Sequence, residues 1–155
     1  MKIIEPKKRD DLQITPKLHE AFGLFEKLIY ELNKKNLPET TVEFINQRVE
    51  ELNTIPSSDK SLKKQLLKRQ AQMTKFLEKE HKLVPKNYYR NLWIPLGMSA
   101  FGLPFGVALG LVVDNMGLLG VGLPIGLAIG AIVGTQMDKQ ALKDGRQLDT
   151  DLKYT

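Results

Sequence analysis

At 155 residues the chain has room for one small domain besides its apolar stretches, and no second domain is expected. It contains no cysteine, which excludes disulfides and thiolate metal sites and leaves His19 and His81 as its two imidazoles. The net charge of +5 comes from the first 90 residues, with 19 Lys and Arg against 13 Asp and Glu, whereas residues 91–155 hold 4 against 5.

Residues 1–15 have no periodicity and several charges, and are expected to be a mobile arm or a segment that orders only on a partner. They lack the apolar core and cleavage site of a secretory signal, so any insertion signal must lie further on. Thr15-Pro16 is a cap followed by a first-turn proline, and Leu18, Phe22, Phe25, Ile29 and Leu32 then recur at helical spacing. Asn36-Leu37-Pro38 ends that helix, and Val42, Ile45, Val49 and Leu52 repeat the stripe in a shorter second one. After Ile55-Pro56, a third helix should start from Ser57 or Ser58 and run to about Val84, with Leu62, Leu66, Met73 and Leu77 on its apolar face and Gln70 interrupting it. Three amphipathic helices joined by short connections predict a small antiparallel bundle over 16–86.

Between Asp59 and Arg90 ten Lys and Arg face only Asp59, Glu78 and Glu80. Such a run is either a solvated helix face or a contact for anionic lipid headgroups. It carries no RNA- or DNA-binding motif, so nucleic acid is not an expected partner.

Ten of the twelve glycines lie between Gly97 and Gly134, within two stretches, Asn91–Val113 and Asn115–Met137, that carry no charge. At about 1.5 Å per residue each would span the roughly 30 Å hydrocarbon core of a bilayer as a helix. The spans are copies of one motif, G-L-P-x-G-x-A-x-G, at 102–110 and 122–130. Gly102, Gly106 and Gly110 form one series at four-residue spacing, and Gly122, Gly126, Gly130 and Gly134 another; glycines so spaced let two backbones approach closely in lipid. A reversal over Asp114, Asn115 and Gly117 would pair Gly110 with Gly122, Gly106 with Gly126 and Gly102 with Gly130. Pro104 and Pro124 deprive the carbonyls of Ala100 and Gly120 of their donors and should be fixed kinks, with a gating hinge as the alternative, the freed carbonyls being met by neighbouring helices, water or a local change of helix type. Tyr88, Tyr89 and Trp93 are expected interfacial anchors, and Lys82, Lys86, Arg90, Lys139 and Lys143 headgroup contacts. The turn between the spans holds no basic residue, which predicts that both termini are cytoplasmic and the turn lies outside.

No phosphate-binding loop, nucleophile triad or metal-spaced His/Glu cluster accompanies these features, so neither an enzyme nor a cofactor is expected. The tandem glycine series at 102–110 and 122–134 resembles the glycine-zipper segments of small bacterial membrane proteins, channels and membrane-active toxins. That resemblance implies a packing mode rather than an activity. The two-span plan with cytoplasmic helices is also similar to that of the large-conductance mechanosensitive channel, but here the long helical region precedes the spans and the motif G-L-P-x-G-x-A-x-G is not associated with that channel, so no functional residue is carried over.

The expected fold is therefore all-α: a transmembrane helical hairpin over 91–137, preceded by a cytoplasmic helical domain over 16–86 and followed by a polar tail over 138–155. The expected function is that of a bacterial inner-membrane protein that self-associates through the hairpin and presents the 16–86 helices for assembly or for a cytosolic partner. A pore-forming toxin or defence effector is the alternative.

Overall fold

The structure, a computed structural model, describes residues 2–7, 15–56 and 61–152, and most of them are helical. The chain divides into two compact units, Met1–Lys86 with Leu148–Thr155, and Asn87–Gln147.

The first unit is built from α1 (Pro16–Asn33), α2 (Glu39–Asn53) and α3 (Leu62–His81). Pro16 opens α1 as its fixed φ allows, but Thr15 caps through its main chain: its carbonyl accepts from the amides of Leu18 and His19 at 2.8 and 3.1 Å, and its hydroxyl makes no cap bond. The apolar stripes turn inward. Phe22, Phe25, Ile29 and Leu32 of α1, Val42, Ile45, Val49 and Leu52 of α2, and Leu62, Leu66, Met73 and Leu77 of α3 share one hydrophobic core. Gln70, which interrupts the third stripe, is nevertheless buried on that same face.

Polar and aromatic contacts fix the pairing of α2 with α3. Buried Thr41 shares a 2.7 Å hydrogen bond with Nε2 of His81, Phe44 stacks on Phe76 with ring centroids 4.1 Å apart, and Glu51 of α2 meets Arg69 of α3 at 2.7 Å.

Three features of this unit depart from the sequence expectation. Residues 2–7 are not a mobile arm: they run as extended chain held by side chains of α1 and α2, with Ile3 in the core. Extended chain has no helical periodicity, and its partners lie some 30 to 46 residues away, so no local pattern announced it. The third helix stops at His81, because Lys82 adopts a left-handed φ of 55° and the chain becomes a short strand, β1 (Val84–Lys86). The expected caps Ser57 and Ser58 lie outside the described residues.

The third departure is the tail. Residues 147–151 form β2 (Gln147–Asp151), which pairs with β1, and Leu148 and Leu152 enter the core of the helices. Alternating burial along Gln147–Asp151 is the strand period of two, masked in the sequence by Asp149 and Asp151 on the exposed face.

Candidate functional site

The second unit is a pair of long helices. One arm runs from Tyr88 to Val112 as α4 (Tyr88–Gly97), a π-helical turn (Met98–Gly102) and α5 (Leu103–Val112); the other is α6 (Leu119–Lys143). Both arms are long and apolar enough to cross a membrane.

The arms run antiparallel, and their shared face is made of backbone. Gly134 lies against Tyr89 and Arg90, Gly130 against Trp93 and Ile94, Gly126 against Gly97 and Gly102, and Gly122 against Gly102 and Gly106. A Cβ added at Gly134 would sit 2.5 Å from Arg90 Cα, one at Gly126 2.6 Å from Gly102 N, and one at Gly122 2.7 Å from Gly106 Cα. These separations admit no side chain, so glycine is required by space rather than by φ.

The register differs by one turn from the pairing expected of the sequence. Gly106 rather than Gly110 faces Gly122, Gly102 rather than Gly106 faces Gly126, and Gly97 rather than Gly102 faces Gly130. The reason is where the chain reverses. Asp114 takes a left-handed φ of 51°, the Asn115 amide bonds back to the Gly110 carbonyl at 2.9 Å, and a 3₁₀ turn at Met116–Leu118 leads straight into α6. The reversal thus falls on Val113 and Asp114, earlier than the Asp114–Gly117 span implied. Asn115 and Gly117 still act as turn residues, the Gly117 amide donating to Asn115 Oδ1 at 3.0 Å.

The π turn explains how Gly97 joins the shared face. Five residues separate Gly97 from Gly102, and in an α-helix that spacing over-rotates by about 140° past one full turn. In the π turn the Leu103 amide instead bonds to the Met98 carbonyl, five residues back, and both glycines face Gly126. Pro104 supplies the cause, since it leaves the Ala100 carbonyl within that turn without an α-helical donor. Ser99 Oγ donates to the carbonyls of Pro95 and Leu96 at 3.0 and 3.1 Å, serving the turn before it. Pro124, by contrast, lies within an unbroken α6.

The large apolar side chains point the other way. Phe105, Leu111 and Val112 of the first arm and Ile132 of the second are 54%, 65%, 84% and 64% exposed, while Gly106, Gly110, Gly122, Gly126, Gly130 and Gly134 are buried. A water-soluble helix pair buries its large apolar residues; this one displays them.

One site residue escaped the sequence reading. Asp138 is 7% exposed, and its two carboxylate oxygens accept the amides of Tyr89 and Arg90, each at 3.0 Å. It thereby satisfies two of the open amides at the start of α4, from the other arm of the hairpin. The signal was in the numbering: Asp138 continues the series 122, 126, 130, 134 by one more step of four.

The expected membrane-surface residues are dispersed. Tyr89 is buried and meets Tyr88 edge to face at 5.3 Å, whereas Trp93 is half-buried with its main chain against Gly130. Arg90, Lys139 and Lys143 are exposed. Lys82 and Lys86 belong to the first unit, where Lys82 pairs with Glu78 at 3.5 Å and Lys86 with Asp149 of β2. That contact raises the Lys86 ammonium above its ordinary pKa, and Lys86 with Lys27, 3.5 Å away, holds the Asp149 carboxyl below the usual carboxylate range.

No family model matches the chain, and no curated protein or solved structure matches it either.

Proposed function

We propose that this is a non-enzymatic integral protein of a bacterial inner membrane, anchored by a glycine-zipper hairpin and carrying a cytoplasmic helical unit for self-association or for a cytosolic partner. The observation that carries this reading is the inversion of the hairpin: backbone and glycine on the shared face, Phe105, Leu111, Val112 and Ile132 outside. In lipid, helices gain nothing by hiding leucine from leucine and associate instead by close backbone packing. Anionic headgroups would meet the exposed Arg90, Lys139 and Lys143 at the open end of the hairpin.

Connectivity supports the topology. β1 precedes α4 and β2 follows α6, and the two strands pair. With two spans between them, such strands must lie on one side of the bilayer, and the basic residues of the open end make that side the cytoplasm. Self-association falls to the first unit or to the outer hairpin surface, because the glycine faces are occupied within one chain. The same occupation means that a pore, the alternative, would have to be lined by the outer faces of the hairpin rather than by its glycines.

The test exploits the cysteine-free chain. A cysteine at Asn115 is expected to react with an impermeant maleimide on intact cells, and a cysteine at Thr54 only after permeabilisation. A reversed pattern overturns the topology, and release of the protein from membranes by carbonate alone overturns the membrane reading.

A further inference from the structure

The hold on residues 2–7 is unlike the packing elsewhere in the first unit. Asn33, at the end of α1, grips Ile3 twice, its Oδ1 accepting the Ile3 amide at 3.0 Å and its Nδ2 donating to the Ile3 carbonyl at 3.2 Å. Asn46 of α2 grips the two residues that flank Ile3, accepting from the Ile4 amide at 2.9 Å and donating to the Lys2 carbonyl at 3.4 Å. Asn53, two turns along α2 from Asn46, accepts the Lys7 amide at 2.8 Å. Each carboxamide offers an acceptor and a donor, as a neighbouring β-strand would. The three asparagines therefore read main chain, and sequence enters only through Ile3 and Pro6, the two buried side chains of the segment.

We propose that this groove along α1 and α2 is a binding site for an extended peptide of pattern Ile-x-x-Pro, and that its ligand between molecules is the Lys2–Lys7 segment of a second copy. Every contact just described forms equally well in trans, so exchange loses no hydrogen bond, and concentration sets the balance. A second copy is the fitting occupant because each chain carries both the groove and the segment cut to it. The segment joins α1 through residues 8–15, which fully extended reach about 28 Å, more than twice a helix diameter. Its outer flank is open, with a cleft of about 460 Å³ beside Glu5 and Pro6. The proposal rests on the membrane reading in one respect: confinement to a bilayer raises the concentration at which copies meet.

The experiment uses the full chain in two tagged lengths, mixed in lipid vesicles and, separately, in concentrated detergent. The donor carries a photo-crosslinking side chain in place of Ile4, which is 36% exposed beside Asn46. Irradiation is expected to join donor to receiver within α1 or α2. Asn33→Leu with Asn46→Leu in the receiver should lower that product by about tenfold, whereas the same pair in the donor should raise it by freeing the donor's segment. Excess free peptide of sequence MKIIEPK should suppress it. Asn53→Ala in the receiver, which removes a single bond, should give an intermediate loss and guards against misfolding of the double variant. Crosslinks found only within one chain, or crosslinks between chains that ignore the receiver's asparagines, overturn the proposal. Failure of the hairpin to insert refutes the membrane reading alone, since the detergent arm still decides exchange.

Discussion

A single carboxylate closes the open end of the hairpin. Asp138 receives the amides of Tyr89 and Arg90 at the first turn of α4, where no residue of α4 itself can reach them. Replacing it with alanine removes the acceptor that both amides share, and Asp138→Ala should lower unfolding stability in detergent by about 1–3 kcal/mol. Asp138→Asn keeps one acceptor and should lose less; equal melting temperatures for all three proteins would refute the cap. Asp149 makes a weaker and pH-dependent link. Its carboxyl is held below the ordinary value by Lys86 and Lys27, so its contribution is present above the unfolded value of about 3.9 and disappears as the pH falls through the lower folded value. Lys86, raised by the same contact, keeps its contribution until the pH exceeds its ordinary range. The melting temperature of Asp149→Asn should therefore lie slightly below that of the parent at pH 7, and the two should converge only once the pH has fallen below the ordinary carboxylate range and through the depressed folded value. The effect is small because both side chains are largely exposed.

Glycine does different work in different elements. In α1, Gly23 has nothing within 4 Å of an added Cβ and merely weakens the helix, so Gly23→Ala should stabilise by about 0.5–1 kcal/mol. In α6, a Cβ added at Gly134 would lie 2.5 Å from Arg90 Cα, and Gly134→Ala must push the arms apart. That substitution should destabilise by about 1–3 kcal/mol despite its better helix propensity. Opposite signs for one chemical change, measured by thermal unfolding, test whether close approach is the reason for glycine. The π turn is the element that makes the series continuous. Without it, Gly97 would rotate off the shared face, and the upper part of α6 would meet side chains instead of backbone.

For the whole molecule the ordering of the chain matters. The first unit begins before the hairpin and is finished after it, since Leu148 and Leu152 are fully buried among residues of α1 to α3. Leu148→Ala should accordingly lower the stability of the N-terminal unit by about 2–5 kcal/mol, although more than 60 residues separate it from α3. Hydrogen exchange at α1 and α2 amides reads this directly; unchanged protection would mean that the tail is dispensable.

Helix positions in the first unit followed from amphipathic periodicity, because burial of a stripe and the 3.6-residue repeat are one constraint read twice, as Phe22, Phe25, Ile29 and Leu32 illustrate. The two apolar arms and their glycine series were equally plain, since close backbone approach leaves its mark as residue type at fixed spacing. Tertiary structure decided what depends on distant partners. The register of the arms turned on the left-handed Asp114 and the π turn before Pro104, both of which change the phase of a helix without changing its composition. The asparagines that hold Lys2–Lys7 and the pairing of β2 with β1 are single polar groups or short extended segments, and periodicity carries no signal for them; for Asp138 the four-residue step after Gly134 marks the face but not the amides it accepts. Their partners are set by where the chain brings them after folding, which is information that the local sequence does not contain.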